Sequence, residues 1–219
     1  RERELTIDAT TIRFRVGNWS EYWRIEYVPE SPVMEWFARH VTSDDVVWDI
    51  GAAIGTYTCL AACQGASVVA FEPEQMNQHR LRENIRLNGI KNRASVRCFA
   101  LSDTDGRARL TIHDIQTGAG THSVSEDGQI VVRTTRGDEL DDPAADVVKI
   151  DVEGHEVAVL EGMTTVLEGV RAIVIEVHHD EDKTRIRSLL RDHGFDVSTL
   201  PSPDNEAHVI GVDPDIERR

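Results

Sequence analysis

Hydrophobic and polar positions alternate along the chain with two different periods. From residue 46 onward, short apolar runs of strand length are separated by stretches with apolar residues at helical spacing. We interpret as strands residues 46–50, 68–71, 95–100, 146–150, 172–177, a segment near Val197, and 208–212. The helical patterns cover residues 56–64, 75–87, 156–167 and 183–193. This alternation predicts an α/β fold with a mostly parallel, doubly wound sheet that carries helices on both faces.

Two parts of the chain depart from this alternation. Residues 108–113 and 129–134 alternate with period two and predict an inserted antiparallel hairpin. Residues 117–128 between them are rich in Gly, Ser and Thr, a composition typical of an active-site loop. Near the N-terminus, an alternating segment precedes a helical pattern. We therefore predict a short extension of residues 1–42 packed on one domain of residues 43–219.

Composition narrows the function classes. The 219 residues suit one domain with a full core. A net charge of -15 repels phosphate backbones and disfavours a nucleic-acid partner. No apolar run approaches the roughly 20 residues that span a bilayer. Three sparse cysteines argue against a disulfide framework and favour a reducing, cytoplasmic location. The sequence indicates no oligomeric state.

The first predicted strand ends in an acid and a glycine loop that opens a helix. Its candidate cofactor-binding residues are Asp49, Gly51, Ala52, Ile54 and Gly55. Ligands of open α/β sheets bind outside the carboxyl ends of such strands, and the glycines allow close backbone approach. The helix N-terminus offers free N–H groups to an anion. The segment therefore predicts a small-molecule site.

The details of the loop favour one class of cofactor. A dinucleotide fingerprint needs Gly-x-Gly-x-x-Gly, whereas Ala53 and Thr56 stand at the second and third glycine positions. Asp49 instead suits an ammonium group, which S-adenosylmethionine carries. Glu72 ends the next strand, where its carboxylate can accept hydrogen bonds from ribose hydroxyls. Because a nicotinamide cofactor would use the same acid, a nicotinamide-dependent oxidoreductase is the alternative enzyme.

Four motifs in this order resemble the FkbM family of methyltransferases. They cover residues 49–55, 71–73, 83–88 and 149–156, and residues 159–162 and 174–178 are also similar to the family. The resemblance implies a Rossmann-like class I methyltransferase fold, with S-adenosylmethionine at the ends of the first two strands. It also implies methyl transfer to a hydroxyl oxygen of a small metabolite or saccharide. Further cofactor contacts are expected from Pro73, Ala100, Leu101 and Ser102. The chain has Ala52-Ala53 where the family usually shows Ala-Asn.

Methyl transfer to a hydroxyl requires a positioned acceptor and a base that removes its proton. Asp151 ends the fourth predicted strand, and Glu176 and His178 end the fifth on one face. We hypothesise that His178 or Asp151 is the base and that Glu176 orients it. These residues could alternatively bind a divalent metal, which is not predicted, or only anchor helices. A cofactor-binding protein without turnover is the remaining alternative function.

Overall fold

The structure is a computed structural model that describes residues 1–19, 21–22, 31–112, 122–124, 128–200 and 207–215. The strands are β1 (Glu2–Ile7), β2 (Thr10–Arg15), β3 (Val46–Ile50), β4 (Ser67–Phe71), β5 (Ala94–Arg97), β6 (Ala100–Leu101), β7 (Gly106–Ile112), β8 (His122–Val124), β9 (Ile130–Thr135), β10 (Val147–Ile150), β11 (Ala172–Val177), β12 (Asp196–Leu200) and β13 (Ala207–Val212). The α-helices are α1 (Ser31–His40), α2 (Thr56–Gln64), α3 (Gln75–Leu87), α4 (Glu156–Glu161), α5 (Thr164–Leu167) and α6 (Asp182–Asp192).

Seven strands form the central sheet in the order β12-β13-β11-β10-β3-β4-β5. All neighbours are parallel except that β13 runs antiparallel to both β11 and β12. The central strands β10 and β11 are buried at every position, as expected for Val/Ile-rich strands covered on both faces. The predicted mostly parallel, doubly wound sheet is confirmed.

Two hydrophobic layers cover the sheet. Successive residues of β3 alternate between them, because Val47 belongs to one core and Trp48 to the other. The first core holds apolar residues of α1, α2 and α3, and the second holds those of α4, α5 and α6. Within the described part of the chain, no helix is long and apolar enough to cross a membrane.

The N-terminal strands β1 and β2 form an antiparallel hairpin. Its inward positions, Leu5, Ile12 and Phe14 among them, join the first core beside α2 and α3. Asn88, which follows α3, accepts from the backbone N–H of Arg13 at 2.8 Å and donates to its carbonyl at 2.7 Å. The N-terminal segment is thus attached to the domain by apolar packing in the first core and by the hydrogen bonds between Asn88 and Arg13. The domain boundary at residue 42 stays a prediction.

The predicted hairpin is the centre of a separate four-stranded sheet in the order β6-β9-β7-β8. The third central strand was predicted to run to residue 100, but β5 ends at Arg97. Ala100 and Leu101 instead pair in parallel with β9, so the chain changes sheets at this point. Most of the predicted loop of residues 117–128 lies outside the described residues.

The helix predicted over residues 156–167 is also interrupted. Helix α4 ends at Glu161, and α5 begins at Thr164. Gly162 lies between them, and a Cβ there would come within 1.9 Å of the Ser102 carbonyl oxygen. The break therefore brings this backbone against the loop that follows β6.

Candidate active site

A cleft lies at the carboxyl ends of β3, β4 and β10 and encloses about 660 Å³, including space open to solvent. Six of the predicted site residues line it: Gly51, Glu72, Pro73, Ala100, Leu101 and Asp151. The lining also includes residues that were not predicted, namely Ile50, Ala53, Phe71, Asn77, Leu110, Val152, Glu153 and His155. The cleft is thus apolar on the side of the small sheet and acidic at the end of β10.

Gly51 allows the loop after β3 to touch the loop after β10. Its φ is +79°, and a Cβ there would lie 1.7 Å from the Asp151 carbonyl oxygen. The N–H groups of Gly51 and Ala52 both donate to the Phe71 carbonyl at 3.0 Å, which fixes the loop to β4. Gly51 thus allows two protein loops to approach each other closely, and its approach to a ligand stays a prediction.

Glu72 is buried at the tip of β4. Its carboxylate accepts from the backbone N–H of Ala53 at 2.8 Å and of Glu74 at 2.7 Å. Burial raises the pKa of Glu72 to about 7, against the opposing effect of these hydrogen bonds. Because a carboxylate has about four lone-pair sites, Glu72 keeps acceptor capacity for ligand hydroxyls. Its position in the cleft fits the predicted contact with a ribose.

Asp49 lies behind the cleft. One carboxylate oxygen accepts from the Thr58 hydroxyl at 2.5 Å, and the other, Oδ1, has no hydrogen-bond partner among the described residues. Burial raises the pKa of Asp49, and the neighbouring charge of Lys149 opposes that shift. A buried carboxylate oxygen without a partner is costly, so its environment fits an ammonium group. Asp49 does not line the cleft, and its contact with the ammonium end of S-adenosylmethionine stays a prediction.

Lys149 is directly opposite Asp49 in the register of β10 and β3. Its ammonium donates to Asp151 at 2.8 Å and lies 4.9 Å from the ring centroid of Tyr57. The buried lysine therefore has the carboxylate partner that burial requires.

The remaining predicted cofactor residues do not line the cleft. They contact the protein around the loops that do. The Ile54 carbonyl accepts from the Asn84 side chain at 2.9 Å. Gly55, with φ +93°, begins α2. Ser102 is buried, and its hydroxyl lies 2.9 Å from Nε2 of His155. Burial lowers the pKa of His155, although Asp103 and Glu156 act in the opposite direction, so this cleft residue favours the neutral form.

The three predicted catalytic residues come together at the ends of β10 and β11. Nε2 of His178 lies 3.7 Å from Asp151 Oδ1 and 3.8 Å from Glu176 Oε1. Glu176 Oε2 is in turn 3.6 Å from Nε2 of His208, a buried residue directly opposite it on β13. Of the three, only Asp151 lines the cleft.

His178 is oriented by a hydrogen bond that Glu156, in the family motif of residues 149–156, accepts. Glu156 Oε1 lies 2.8 Å from Nδ1 of His178, and Glu153 Oε2 lies 3.3 Å from Nε2. Burial alone would lower the pKa of His178, but these carboxylates and Asp151 raise it to about 9. His178 is therefore an imidazolium at neutral pH. In that form it has no free lone pair with which to accept a proton.

The same cluster meets the spacing of a cation site. Ligand atoms of Asp151, Glu153 and His178 lie within 4.8 Å of one another. Glu153 has φ +55° and Gly154 has φ +95°, so the loop that presents these groups is backbone-strained, as functional loops often are. The cluster can hold either an imidazolium or a divalent cation.

Comparison with known proteins identifies the family. The model of the methyltransferase FkbM domain matches residues 49–197, which contain every strand end that forms the cleft. The chain belongs to the FkbM methyltransferase family. It is therefore an S-adenosylmethionine-dependent methyltransferase, and the alternative of a nicotinamide-dependent oxidoreductase is set aside.

Similar proteins agree with membership in the FkbM family. The hexuronic acid methyltransferase AglP of Haloferax volcanii is 35% identical over 210 residues, which cover 94% of this chain and 86% of AglP. The fold is similar to that of methyltransferase FkbM from Methylobacillus flagellatus, with a TM-score of 0.60 and 13% identity over 89% of this chain and 62% of that one. It is also similar to the magnesium protoporphyrin IX methyltransferase of Synechocystis, with a TM-score of 0.54 and 14% identity over 90% and 85% of the two chains. These structures confirm the class I methyltransferase fold.

Proposed function

We propose that this FkbM methyltransferase transfers a methyl group from S-adenosylmethionine to a hydroxyl oxygen of a saccharide that contains uronic acid. The observation that carries the proposal is the 35% identity to a hexuronic acid methyltransferase along nearly the whole chain. The carboxylates of the cleft also favour a sugar, because carboxylates accept hydrogen bonds from hydroxyl groups. We place the reaction in the cytoplasm, as the cysteine content predicts.

The cofactor supplies an electrophilic methyl group on a sulfonium. In our proposal Glu72 accepts hydrogen bonds from the ribose, and Asp49, near the end of β3 before the loop of Gly51 and Gly55, is the acid assigned to the ammonium end of the cofactor. Ala100 and Leu101 cover the adenine with apolar surface, and Pro73 completes that wall. Ala52, Ile54 and Ser102 contact other protein groups. In our proposal they therefore support the loops around the cofactor.

Asp151 is the group we assign to the acceptor hydroxyl. It lines the cleft. The Lys149 ammonium lies 2.8 Å from one of its carboxylate oxygens, and Nε2 of His178 lies 3.7 Å from the other. A hydroxyl that donates to Asp151 is oriented for in-line attack and can pass its proton to that carboxylate. His178 stabilises the charge of Asp151 rather than acting as the base, because its pKa of about 9 keeps it protonated at neutral pH. Glu176 lies behind this pair.

The test is a transfer assay with tritium-labelled S-adenosylmethionine. Glucuronic acid, galacturonic acid and their oligosaccharides are compared with neutral glucose and galactose oligosaccharides, and products are identified by mass spectrometry. We expect label in the uronic acid compounds only. Labelling of neutral sugars alone, or of none, contradicts the proposed acceptor. Mild alkali then separates a stable methyl ether on a hydroxyl from a labile methyl ester on a carboxylate.

Two variants test the assignment of Asp151. The isosteric change Asp151→Asn removes the proton acceptor and is expected to lower kcat by about 10²–10⁴-fold. Its matched control is Asp138→Asn, a change of the same kind at the N-terminus of α5, where Asp138 accepts from the backbone N–H groups of Thr165 and Val166. Turnover by Asp151→Asn at the rate of the control would refute the role of Asp151.

A further inference from the structure

The small sheet carries three arginines on one face. Arg107 and Arg109 alternate on β7, and in the register of the sheet Arg107 is directly opposite Arg133 while Arg109 is directly opposite Val131 on β9. Residues directly opposite in an antiparallel pair share a face, and all four are exposed. We call the surface formed by Arg107, Arg109, Val131 and Arg133 the arginine face.

The arrangement on the arginine face is unfavourable without an anion. Like charges placed directly opposite each other on neighbouring strands repel, as Arg107 and Arg133 do. The ion pairs found among the described residues involve none of these three arginines. Concentrated positive charge on a chain with a net charge of -15 therefore indicates a surface for an anionic ligand.

Neutral groups hold two of the guanidinium groups in place. The Arg109 side chain donates to the Gly128 carbonyl at 3.2 Å, and the guanidinium of Arg133 lies 5.1 Å from the ring centroid of Phe99. Asp105 is the acidic neighbour of Arg133, but its carboxylate already accepts from the Thr135 hydroxyl at 2.6 Å. Side chains held in this way lose less conformational freedom when they bind a ligand.

The arginine face adjoins the cleft. Leu110 lies on the opposite face of β7 and lines the cleft. Phe99, beneath Arg133, packs against Phe71 with ring centroids 5.9 Å apart, and Phe71 also lines the cleft. The aromatic pair of Phe99 and Phe71 thus connects Arg133 to a residue that lines the cleft.

The cleft itself offers poor partners for a carboxylate. Glu72, Asp151 and Glu153 line it, whereas neither arginine nor lysine occurs among its described lining residues. These acids accept hydrogen bonds from sugar hydroxyls but repel the carboxylates of an acidic saccharide. The described lining of the cleft thus supplies no arginine or lysine for those carboxylates.

We infer that the arginine face binds the carboxylates of an acidic oligosaccharide whose methylated residue occupies the cleft. This inference rests on the proposed function and extends it from one sugar to a chain. The planar guanidinium group matches a carboxylate with two parallel hydrogen bonds. Arg107 and Arg109 are about 7 Å apart along the strand, so they can engage carboxylates on separate sugar residues.

The experiment compares binding and turnover in the full chain. Trigalacturonic acid and neutral maltotriose are titrated by calorimetry in the presence of S-adenosylhomocysteine, at one low salt concentration because salt screens exposed charges. The test variant is Arg107→Gln/Arg109→Gln/Arg133→Gln. The matched control, Arg39→Gln/Arg185→Gln/Arg191→Gln, removes the same charge from exposed positions on helices. Thermal unfolding verifies that both variants are folded.

We expect the wild type and the control to bind trigalacturonic acid alike, and the test variant to bind it at least about tenfold more weakly. Equal binding by the test variant and the control, or binding of maltotriose as tight as that of the acid, overturns the inference. Absence of binding by the wild type also overturns it. Methylation of monomeric uronic acid separates the two proposals, because loss of the arginine face should leave it unchanged. Failure of the wild type to methylate any uronic acid refutes the proposed function instead.

Discussion

Glu156 Oε1 lies 2.8 Å from Nδ1 of His178, so a residue of the helix after β10 fixes a ring at the end of β11. The contact joins two loops that are adjacent in the sheet but 22 residues apart in sequence. It leaves Nε2 of His178 facing Asp151 and Glu153, two of the three acids that line the cleft. The electrostatic state of His178 is therefore coupled to the groups that face the acceptor.

This coupling predicts a pH dependence of stability. Because the pKa of His178 rises from 6.5 to about 9 on folding, its contribution is fully present below about pH 6.5 and is lost as the pH rises through about 9. We expect the free energy of unfolding to fall by on the order of 1–3 kcal/mol over that range. Urea denaturation in EDTA measures it, and EDTA removes competing cations.

Two variants identify which group causes the fall in the free energy of unfolding with pH. Glu156→Gln removes the charged partner of His178 and should flatten the fall in stability between pH 6.5 and 9. His79→Gln changes an exposed histidine on α3 and should leave the fall unchanged. If the free energy of unfolding of Glu156→Gln falls with pH as much as that of the wild type, the effect belongs to other groups.

Gly51→Ala should destabilise the protein by more than the cost of placing an alanine at positive φ. The new Cβ would lie 1.7 Å from the Asp151 carbonyl oxygen, so the two loops must separate. Gly89→Ala is the matched control, since Gly89 has φ +71° but no atom within 4 Å of a new Cβ. We expect about 1 kcal/mol of destabilisation for Gly89→Ala and several kcal/mol for Gly51→Ala. Similar values for the two variants in urea denaturation would show that the loops do not depend on this contact.

Cofactor affinity should increase as the pH rises through about 7. Burial raises the pKa of Glu72 to about 7, and the ionised form is the stronger acceptor for a ribose hydroxyl. Glu72→Gln should weaken the binding of S-adenosylhomocysteine by about tenfold or more and remove its dependence on pH between 6 and 8. Calorimetric titration at several pH values checks both effects. The prediction fails if the Gln variant keeps the pH profile of the wild type.

Ala53→Gly should stabilise the protein without cofactor. Ala53 has φ +47°, a left-handed conformation that glycine adopts without steric cost. We expect a gain of about 0.5–1 kcal/mol in the free energy of unfolding. The matched control is Ala52→Gly, because the neighbouring Ala52 is buried and is not among the residues with positive φ. The control should destabilise the protein, and a loss of stability in Ala53→Gly would contradict the expectation.

The elements that could be predicted from the sequence are those defined by a pattern of neighbouring residues. The parallel sheet, the hairpin and the strand-end residues Gly51, Glu72 and Asp151 all follow from short patterns, and the structure places these three residues in one cleft. The helix after β10 was predicted to be continuous because its apolar spacing persists through Gly162. Its interruption depends on the close approach of Ser102, which no local pattern records.

The partners of the site residues required the three-dimensional arrangement. Glu156 was not among the predicted catalytic residues, because nothing near it in sequence indicates contact with His178. Ser102 was expected to contact the adenine, yet its hydroxyl is directed to His155. Both contacts join loops that only the strand order of the sheet brings together. The roles of these residues toward ligands remain predictions for the variants above.

The change of sheets between Arg97 and Ala100 divides the cleft between two separately hydrogen-bonded frameworks. The strands that present Gly51, Glu72 and Asp151 belong to the central sheet, whereas Leu101 and Leu110 belong to the small one. In the proposed function the two sheets share the cofactor, because Glu72 of the central sheet is assigned to its ribose while Ala100 and Leu101 of the small sheet are assigned to its adenine. A chimera that exchanges only residues 100–135 for those of a relative should therefore change the affinity for S-adenosylmethionine while Glu72 and Asp151 stay in place.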